Sequence, residues 1–251
     1  MRISRIYLPL QLGQPDETLV IDGSKAHYLR NVLRVKPQQP LNFFTPEGIE
    51  YEAKISAVEK RQITLFEIKA SSQQPRPASI DTTLIQGISS SDRMDYTIQK
   101  AAELGCKKIM PVLTDFCSQK IPAHKFDKKH AHWQAVALSG CEQSGRADLL
   151  EVSPIMPIKE VIETVVDGIY LEPGAQTFLQ NLPAQFHRQQ HIYIGPEGGF
   201  SPTELELFEA KKYTGVQIGQ RVLRTETVAP VILSALHTLY GDFMPPAESK
   251  Q

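Results

Sequence analysis

A chain of 251 residues with 41% hydrophobic and 22% charged side chains has an ordinary globular composition and is long enough for one large domain or two small ones. Its net charge of −1 excludes a surface that binds nucleic acid everywhere, and no apolar stretch reaches the roughly 18 to 20 residues of a membrane span. The opening MRISRIYLPLQLG lacks the apolar core and small-residue cleavage site of a signal peptide, and Cys106, Cys117 and Cys141 are odd in number and widely spaced; a cytoplasmic protein with neither a disulfide framework nor a zinc site is expected.

Residues 1–70 predict short strands. Leu41 to Phe44, Glu50 to Ile55 and Gln62 to Ile68 carry β-branched or aromatic residues and are separated by turn signals such as Pro46-Glu47-Gly48. Ser24 to Val35 has helical spacing, with Ala26, Leu29, Val32 and Leu33 apolar and Lys25, Arg30 and Arg34 on the exposed face. A small β-barrel fits this pattern. Residues 71–79, SSQQPRPAS, are polar and proline-bearing and predict a linker.

Residues 80–251 alternate strand and helix. The predicted series is strand Thr82 to Gln86, helix Asp92 to Leu104, strand Lys108 to Leu113, helix Lys128 to Cys141, helix Ile158 to Val165 and strand Ile169 to Leu171. Such alternation predicts an α/β unit with a parallel sheet covered by helices. Two glycine-bearing runs complete it: IGPEGGFSPTELE at 194–206 and IGQRVLRTETVAP at 218–230, each after a short apolar strand and before a helix. Backbone groups are free at such junctions and glycine admits a ligand close to the main chain, although neither run has the spacing of a dinucleotide or triphosphate loop. Ser201-Pro202-Thr203-Glu204 predicts a capping box. Thr227 is the expected cap of the last helix, with Pro230 in its first turn and Val228, Ile232, Leu236 and Leu239 along one apolar face. His124, His130 and His132 lack the spacing of a metal site, since i and i+2 positions diverge on a helix, so no metal is expected.

The two glycine runs, together with IQKAAELG at 98–105, EQSGR at 142–146 and RIYLP at 5–9, resemble the motifs of the SPOUT methyltransferases, and within them the family that methylates N3 of a uridine in 16S ribosomal RNA. They occur in the expected order over nearly the whole chain. The resemblance implies a PUA-like RNA-binding barrel at residues 1–70 and, at residues 80–251, a domain whose C-terminal segment is threaded into a trefoil knot. It also implies a homodimer built on part of the last helix, with 16S ribosomal RNA or the small subunit as partner and S-adenosylmethionine as cofactor.

Site residues follow from the same resemblance. Leu171, Glu172 and Pro173 match the first cofactor loop, Gly195, Gly198 and Gly199 the second, and Ile218, Gly219, Val222, Leu223 and Thr227 the third. Each glycine alone also suits an ordinary turn. Removing the N3 proton of uracil spreads negative charge onto its carbonyls, which an arginine would stabilise; Arg224 is the first candidate and Arg146 the second, and both equally suit an arginine that ties loops or protomers together. Glu197 and Glu226 are candidate proton acceptors, or else bond to loop backbone. RNA phosphates would meet Arg5, Lys25, Arg30 and Arg34 on the first domain and Lys120, Lys125, Lys128 and Lys129 on the second, where residues 107–129 hold six lysines against two aspartates.

Three positions depart from the family pattern. Phe116 stands where an arginine is expected, Ala147-Asp148-Leu149-Leu150 follows EQSGR without the usual asparagine and proline, and Val228 replaces an alanine. Two alternatives therefore stay open: another ribosomal or transfer RNA base as target, or a non-catalytic RNA-binding protein with a degenerate pocket.

Overall fold

The structure is a computed structural model and describes residues 3–12, 18–75, 77–118, 120–182, 186 and 189–243. Its contacts divide the chain into two units, Met1–Pro77 with Glu142–Asp148, and Ala78–Cys141 with Leu149–Gln251.

The first unit contains β1 (Ser4–Tyr7), β2 (Leu19–Asp22), α1 (Gly23–Asn31), β3 (Pro40–Phe44), β4 (Glu50–Val58) and β5 (Gln62–Ala70). The five strands form one sheet in the order β1-β3-β4-β5-β2, antiparallel except for β1 beside β3. Alternation sends Ala53 and Ile55 inward between exposed Lys54 and Ser56, and Ile6, Leu29, Leu41, Phe43, Ile63 and Leu65 complete a single core. Two register shifts between β4 and β5 mark bulges, which bend a sheet around such a core. Helix α1 ends four residues earlier than its apolar spacing predicts. Arg34 takes a left-handed φ of 51° and the Val35 N–H returns to the Leu29 carbonyl, so Val32 is 61% exposed and Arg34 lies beyond the helix.

Residues 142–148, which hold EQSGR at 142–146, group with this first unit. Glu142 Oε1 accepts the Tyr7 N–H (2.9 Å) and a Lys25 Nζ hydrogen (2.7 Å), and the Arg146 carbonyl accepts from Arg5 (3.0 Å).

The second unit runs β6 (Asp81–Gly87), α2 (Ser91–Glu103), β7 (Lys108–Leu113), α3 (Phe126–Ser144, its last turn passing into the first unit), β8 (Glu151–Val152), β9 (Met156–Pro157), α4 (Ile158–Thr164), β10 (Ile169–Leu171), β11 (Thr177–Phe178), β12 (Gln189–Ile194), α5 (Pro202–Ala210), β13 (Thr214–Gln217) and α6 (Thr225–Tyr240). Every strand pair is parallel, in the order β11-β13-β10-β12-β6-β7-β8 with β9 also on β7. The central strands β6 and β12 are largely buried and carry Leu84, Ile85, Ile192, Tyr193 and Ile194, with Thr82, Gln86 and Gln190 buried among them. Tyr193 of β12 packs with Phe200, Phe208 and Tyr213 and with Val161 and Ile162 of α4, while α2 packs on α6. Gly140 lets α3 approach α2, since a Cβ there would lie 2.7 Å from the Ala102 Cβ.

Helix α5 begins where its capping box predicts. Ser201 Oγ accepts the Glu204 N–H (3.2 Å), Glu204 Oε2 accepts the Ser201 N–H (2.8 Å), and Pro202 opens the helix. Helix α6 does not match its prediction. It starts at Thr225 with Arg224 as N-cap, so Thr227 caps nothing and Pro230 falls in the second turn, leaving the Glu226 carbonyl without the usual i+4 partner. The expected apolar face also divides: Ile232 and Leu236 are buried within the chain, whereas Val231 and Leu239 are exposed beside Ala235 and Val228. Among the described residues no helix is long and apolar enough to cross a membrane.

Candidate functional site

Strands β10, β12 and β13 are neighbours in register, with Tyr170 opposite both Tyr193 and Gly215, so their carboxyl ends lie together. The loops that leave those ends enclose a cavity of about 560 Å³, within the range of small-molecule sites. It is lined by Leu171, Glu172, Pro173 and Gly174 from the first loop, Ile194 to Phe200 from the second, and Val216 to Thr225 with Val228 from the third. All three expected loops thus meet at one place. Of the cofactor residues named from sequence, Leu171, Glu172, Pro173, Gly195, Gly198, Gly199, Ile218, Gly219, Val222 and Leu223 line the cavity; Thr227 is exposed on α6 and does not. Val222 is 80% exposed, so it forms the rim and not a closed apolar wall.

Two glycines shape the cavity. A Cβ on Gly195 would lie 3.0 Å from the Gly199 Cα, so these backbones approach as only glycine permits, and Gly219 holds a φ of 147° in open space. The second loop is tied to its neighbours by Thr225, whose Oγ1 donates to the Gly195 carbonyl (2.7 Å) and accepts from Gln86 Nε2 (3.1 Å). Sequence reading missed Gln86 and Thr225; a threonine directly before E-T in the third run was the available signal.

Glu172 is the charged group of the first loop, and burial raises its pKa above the ordinary carboxylate value. The sign is unfavourable to the empty fold: this carboxyl contributes most below its unfolded pKa, and that contribution is lost as pH rises through the raised folded value. Glu172→Gln should therefore melt higher than the wild type at neutral pH without ligand, with the difference shrinking as pH falls below the ordinary carboxylate range. A wild type more heat-stable than the variant at pH 7 would contradict this account.

The candidate acid–base groups are placed unequally. Arg224 lines the cavity, is exposed, and has no side-chain partner among the described residues. Glu197 also lines it, but both carboxylate oxygens are engaged: Oε1 accepts the Ser90 N–H (3.1 Å) and Arg93 (2.7 Å), and Oε2 accepts Ser118 Oγ (3.1 Å). Burial pushes its pKa up, yet backbone, Ser118 and Arg93 hydrogen bonds outweigh this and hold it below the ordinary carboxylate range. Glu197 is thus a poor proton acceptor and a good tie between three loops. Arg93, absent from the sequence reading, also reaches toward Glu226, whose Oε2 lies 3.5 Å from Nε. Glu226 is not among the cavity-lining residues. Arg146 belongs to the first unit, where it is buried and paired with Asp148 at 2.5 Å.

The expected RNA contacts also differ among themselves. Arg5 is half-buried against Glu50 (2.9 Å) with its guanidinium 4.2 Å above the Phe44 ring, and Lys25 is paired with Glu142, so both are engaged within the first unit. Arg30 donates to the Lys60 carbonyl from an exposed position, and Arg34 is exposed. Lys120, Lys125 and Lys128 are exposed, while Lys129 donates to Ser91 Oγ at 2.6 Å. His132 pairs with Asp95 and His130 meets the Val152 carbonyl; among the described residues no group of three or more such side chains is arranged to hold a metal ion.

Known proteins share both units. The family described as RNA methyltransferase domain matches residues 76–237, and RNA methyltransferase PUA domain matches residues 21–68. Ribosomal RNA small subunit methyltransferase E of Buchnera aphidicola is 29% identical over 249 residues, covering 96% of this chain and 98% of the relative. Its Bacillus subtilis counterpart is 25% identical, covering 93% and 96%. The crystal structure of the Neisseria gonorrhoeae enzyme of that name, bound to S-adenosyl methionine, superposes with a TM-score of 0.88 at 31% identity, over 97% of this chain and 100% of the other. A Legionella pneumophila putative methyltransferase in complex with the same cofactor gives a TM-score of 0.87, also at 31% identity, over 96% and 100%. With a family match that spans the whole cavity and relatives aligned from end to end, this chain belongs to the RNA methyltransferase family of the small-subunit ribosomal RNA methyltransferases E.

Proposed function

We propose that this protein transfers the methyl group of S-adenosylmethionine to N3 of a uridine in 16S ribosomal RNA, acting in the cytoplasm as a homodimer with a knotted cofactor domain. The observation that carries the reading is the three-loop cavity with its Gly195–Gly199 cradle, in a fold whose relatives at 31% identity are crystallised with that cofactor. The residues fit such a molecule: Leu171, Ile218 and Leu223 offer apolar and main-chain contacts for a base, and Glu172 offers an acceptor for hydroxyls or a partner for positive charge. The cofactor supplies an electrophilic methyl group on sulfur. The protein orients the acceptor, excludes water and favours the deprotonated form of uracil through Arg224, a cation at the cavity without a side-chain partner among the described residues. Mass spectrometry of ribosomal RNA from cells with and without the protein tests the reading. One N3-methyluridine should be lost from 16S RNA in its absence; an unchanged 16S RNA with a methyl missing elsewhere would move the target.

The dimer would use the exposed face of α6, Val231, Ala235 and Leu239, which borders a second groove with Phe178 and Leu179. Light scattering at micromolar concentration should give twice the chain mass, and a monomer mass would remove this part of the reading. RNA phosphates would be met by Lys120, Lys125 and Lys128, the exposed lysines of the second unit. Neutralising all three should make the salt dependence of RNA affinity shallower by roughly 2 in logarithmic slope, with cofactor affinity unchanged. An unaltered slope would place the RNA elsewhere.

A further inference from the structure

The turn after β7, Thr114 to Ser118, is fixed more firmly than a surface turn requires. The Asp115 N–H donates to Glu204 Oε1 (2.9 Å) and Asp115 Oδ2 accepts from Ser201 Oγ (2.6 Å), which ties the turn to the cap of α5. Ser118 Oγ donates to Glu197 Oε2 (3.1 Å), tying its far end to the second cavity loop. Within the turn, the Cys117 N–H meets the Thr114 carbonyl at 3.3 Å. At the apex of this fixed backbone stands Phe116, 47% exposed. A Cβ added to Gly198 would lie 2.9 Å from the Phe116 Cβ and 3.5 Å from its Cγ, so the base of this side chain lies against a residue that itself lines the cavity.

A mobile phenyl on a loose loop calls for no explanation, since scattered apolar side chains are normal on surfaces. A phenyl carried on a turn that is tied on both sides, at the edge of a cavity in an RNA methyltransferase, and followed by exposed Lys120, Lys125 and Lys128, has the parts of a single-strand binding platform: a flat π-face for a base and cations for the phosphates beyond it. Phenylalanine carries no charge for a phosphate and offers a base only a stacking surface. We infer that Phe116 is a stacking platform for an unpaired nucleobase of the RNA, at or next to the methylated position. The inference rests on the methyltransferase reading above and deepens it by naming how the substrate is gripped.

The test compares wild type, Phe116→Ala and Phe116→Trp. Affinity for a short uridine-containing single-stranded RNA and for small ribosomal subunits is measured across salt concentrations, alongside calorimetric cofactor affinity and light scattering. Alanine should weaken RNA binding by roughly 5- to 150-fold, the range of one base–aromatic stack. The salt slope should not change, because no phosphate contact is lost, and cofactor affinity should stay within about twofold of wild type. Tryptophan should bind RNA at least as well as wild type. Wild-type RNA affinity in the alanine variant overturns the inference. So does a joint loss of RNA and cofactor affinity, which would make Phe116 a cover for Gly198, or a dimer that dissociates, which would make it an interface residue. A wild type that binds neither RNA nor subunits sinks the methyltransferase reading itself, whereas a wild type that methylates beside an equally active alanine variant sinks only the platform.

Discussion

Replacing Gly195 with valine should abolish cofactor binding in a chain that still folds. The new Cβ would lie 3.0 Å from the Gly199 Cα and 3.1 Å from its carbonyl carbon, contacts that backbone cannot yield by rotating a side chain. The two γ-carbons add bulk beyond it, so the second loop must move away from the first and third, and the 2.7 Å bond from Thr225 to the Gly195 carbonyl is disturbed with it. Overpacking of this kind costs about 1–3 kcal/mol of stability, which a domain with an extensive core withstands. The cavity depends on tenths of an ångström, and the expected loss of cofactor affinity exceeds about 100-fold, or roughly 2.7 kcal/mol. Calorimetry with S-adenosylmethionine and circular dichroism of the same sample test this. A folded variant with wild-type affinity would show that the 195–199 loop does not hold the cofactor.

Arg224→Ala should depress the chemical step. The guanidinium stands free at the N-cap of α6, beside the cavity and without an ion-pair partner among the described residues. Charge built on uracil as N3 loses its proton is what such a group stabilises, and removing one preorganised donor typically costs about 10²–10³-fold in rate. RNA affinity should change far less, by one cation among several. Arg224→Lys should fall between the two, since it keeps the charge and loses the planar fork. Single-turnover methylation at saturating RNA separates these effects, and a wild-type rate for the alanine variant would assign the arginine to binding alone.

The parts of the fold legible in the sequence are those fixed by neighbours in the chain. Ser201, Pro202 and Glu204 form a cap within four residues, and the α5 helix begins where they place it. The β-strand alternation around Ala53 and Ile55 is local in the same way. Helix ends set by distant packing were misread. Thr225 is claimed by Gln86 and the Gly195 carbonyl, so α6 starts two residues before Thr227, the better-looking cap. Charge roles were legible only as residue types. Arg5 meets Glu50, Lys25 meets Glu142 and Arg93 meets Glu197, all pairs far apart in sequence, and each converts a candidate functional charge into a structural tie. The cavity loops were legible because three glycine-bearing junctions occur in one order, whereas the grip of Glu197 on three loops has no local signature.

The parallel pairing of β6 with β12 sets when the site can come into being. Asp81 lies opposite Gln189, so the central strand pair closes a very long loop, and the cavity walls at Ile218 to Val228 follow later still. Contacts of such separation are entropically costly and slow to nucleate. During synthesis the first unit's five strands are complete in the opening third of the chain, while the methyl-donor pocket waits for Val228, near the end of it. Premature termination between β5 and α6 therefore yields a chain that carries the first unit's strands but lacks a methyl-donor site.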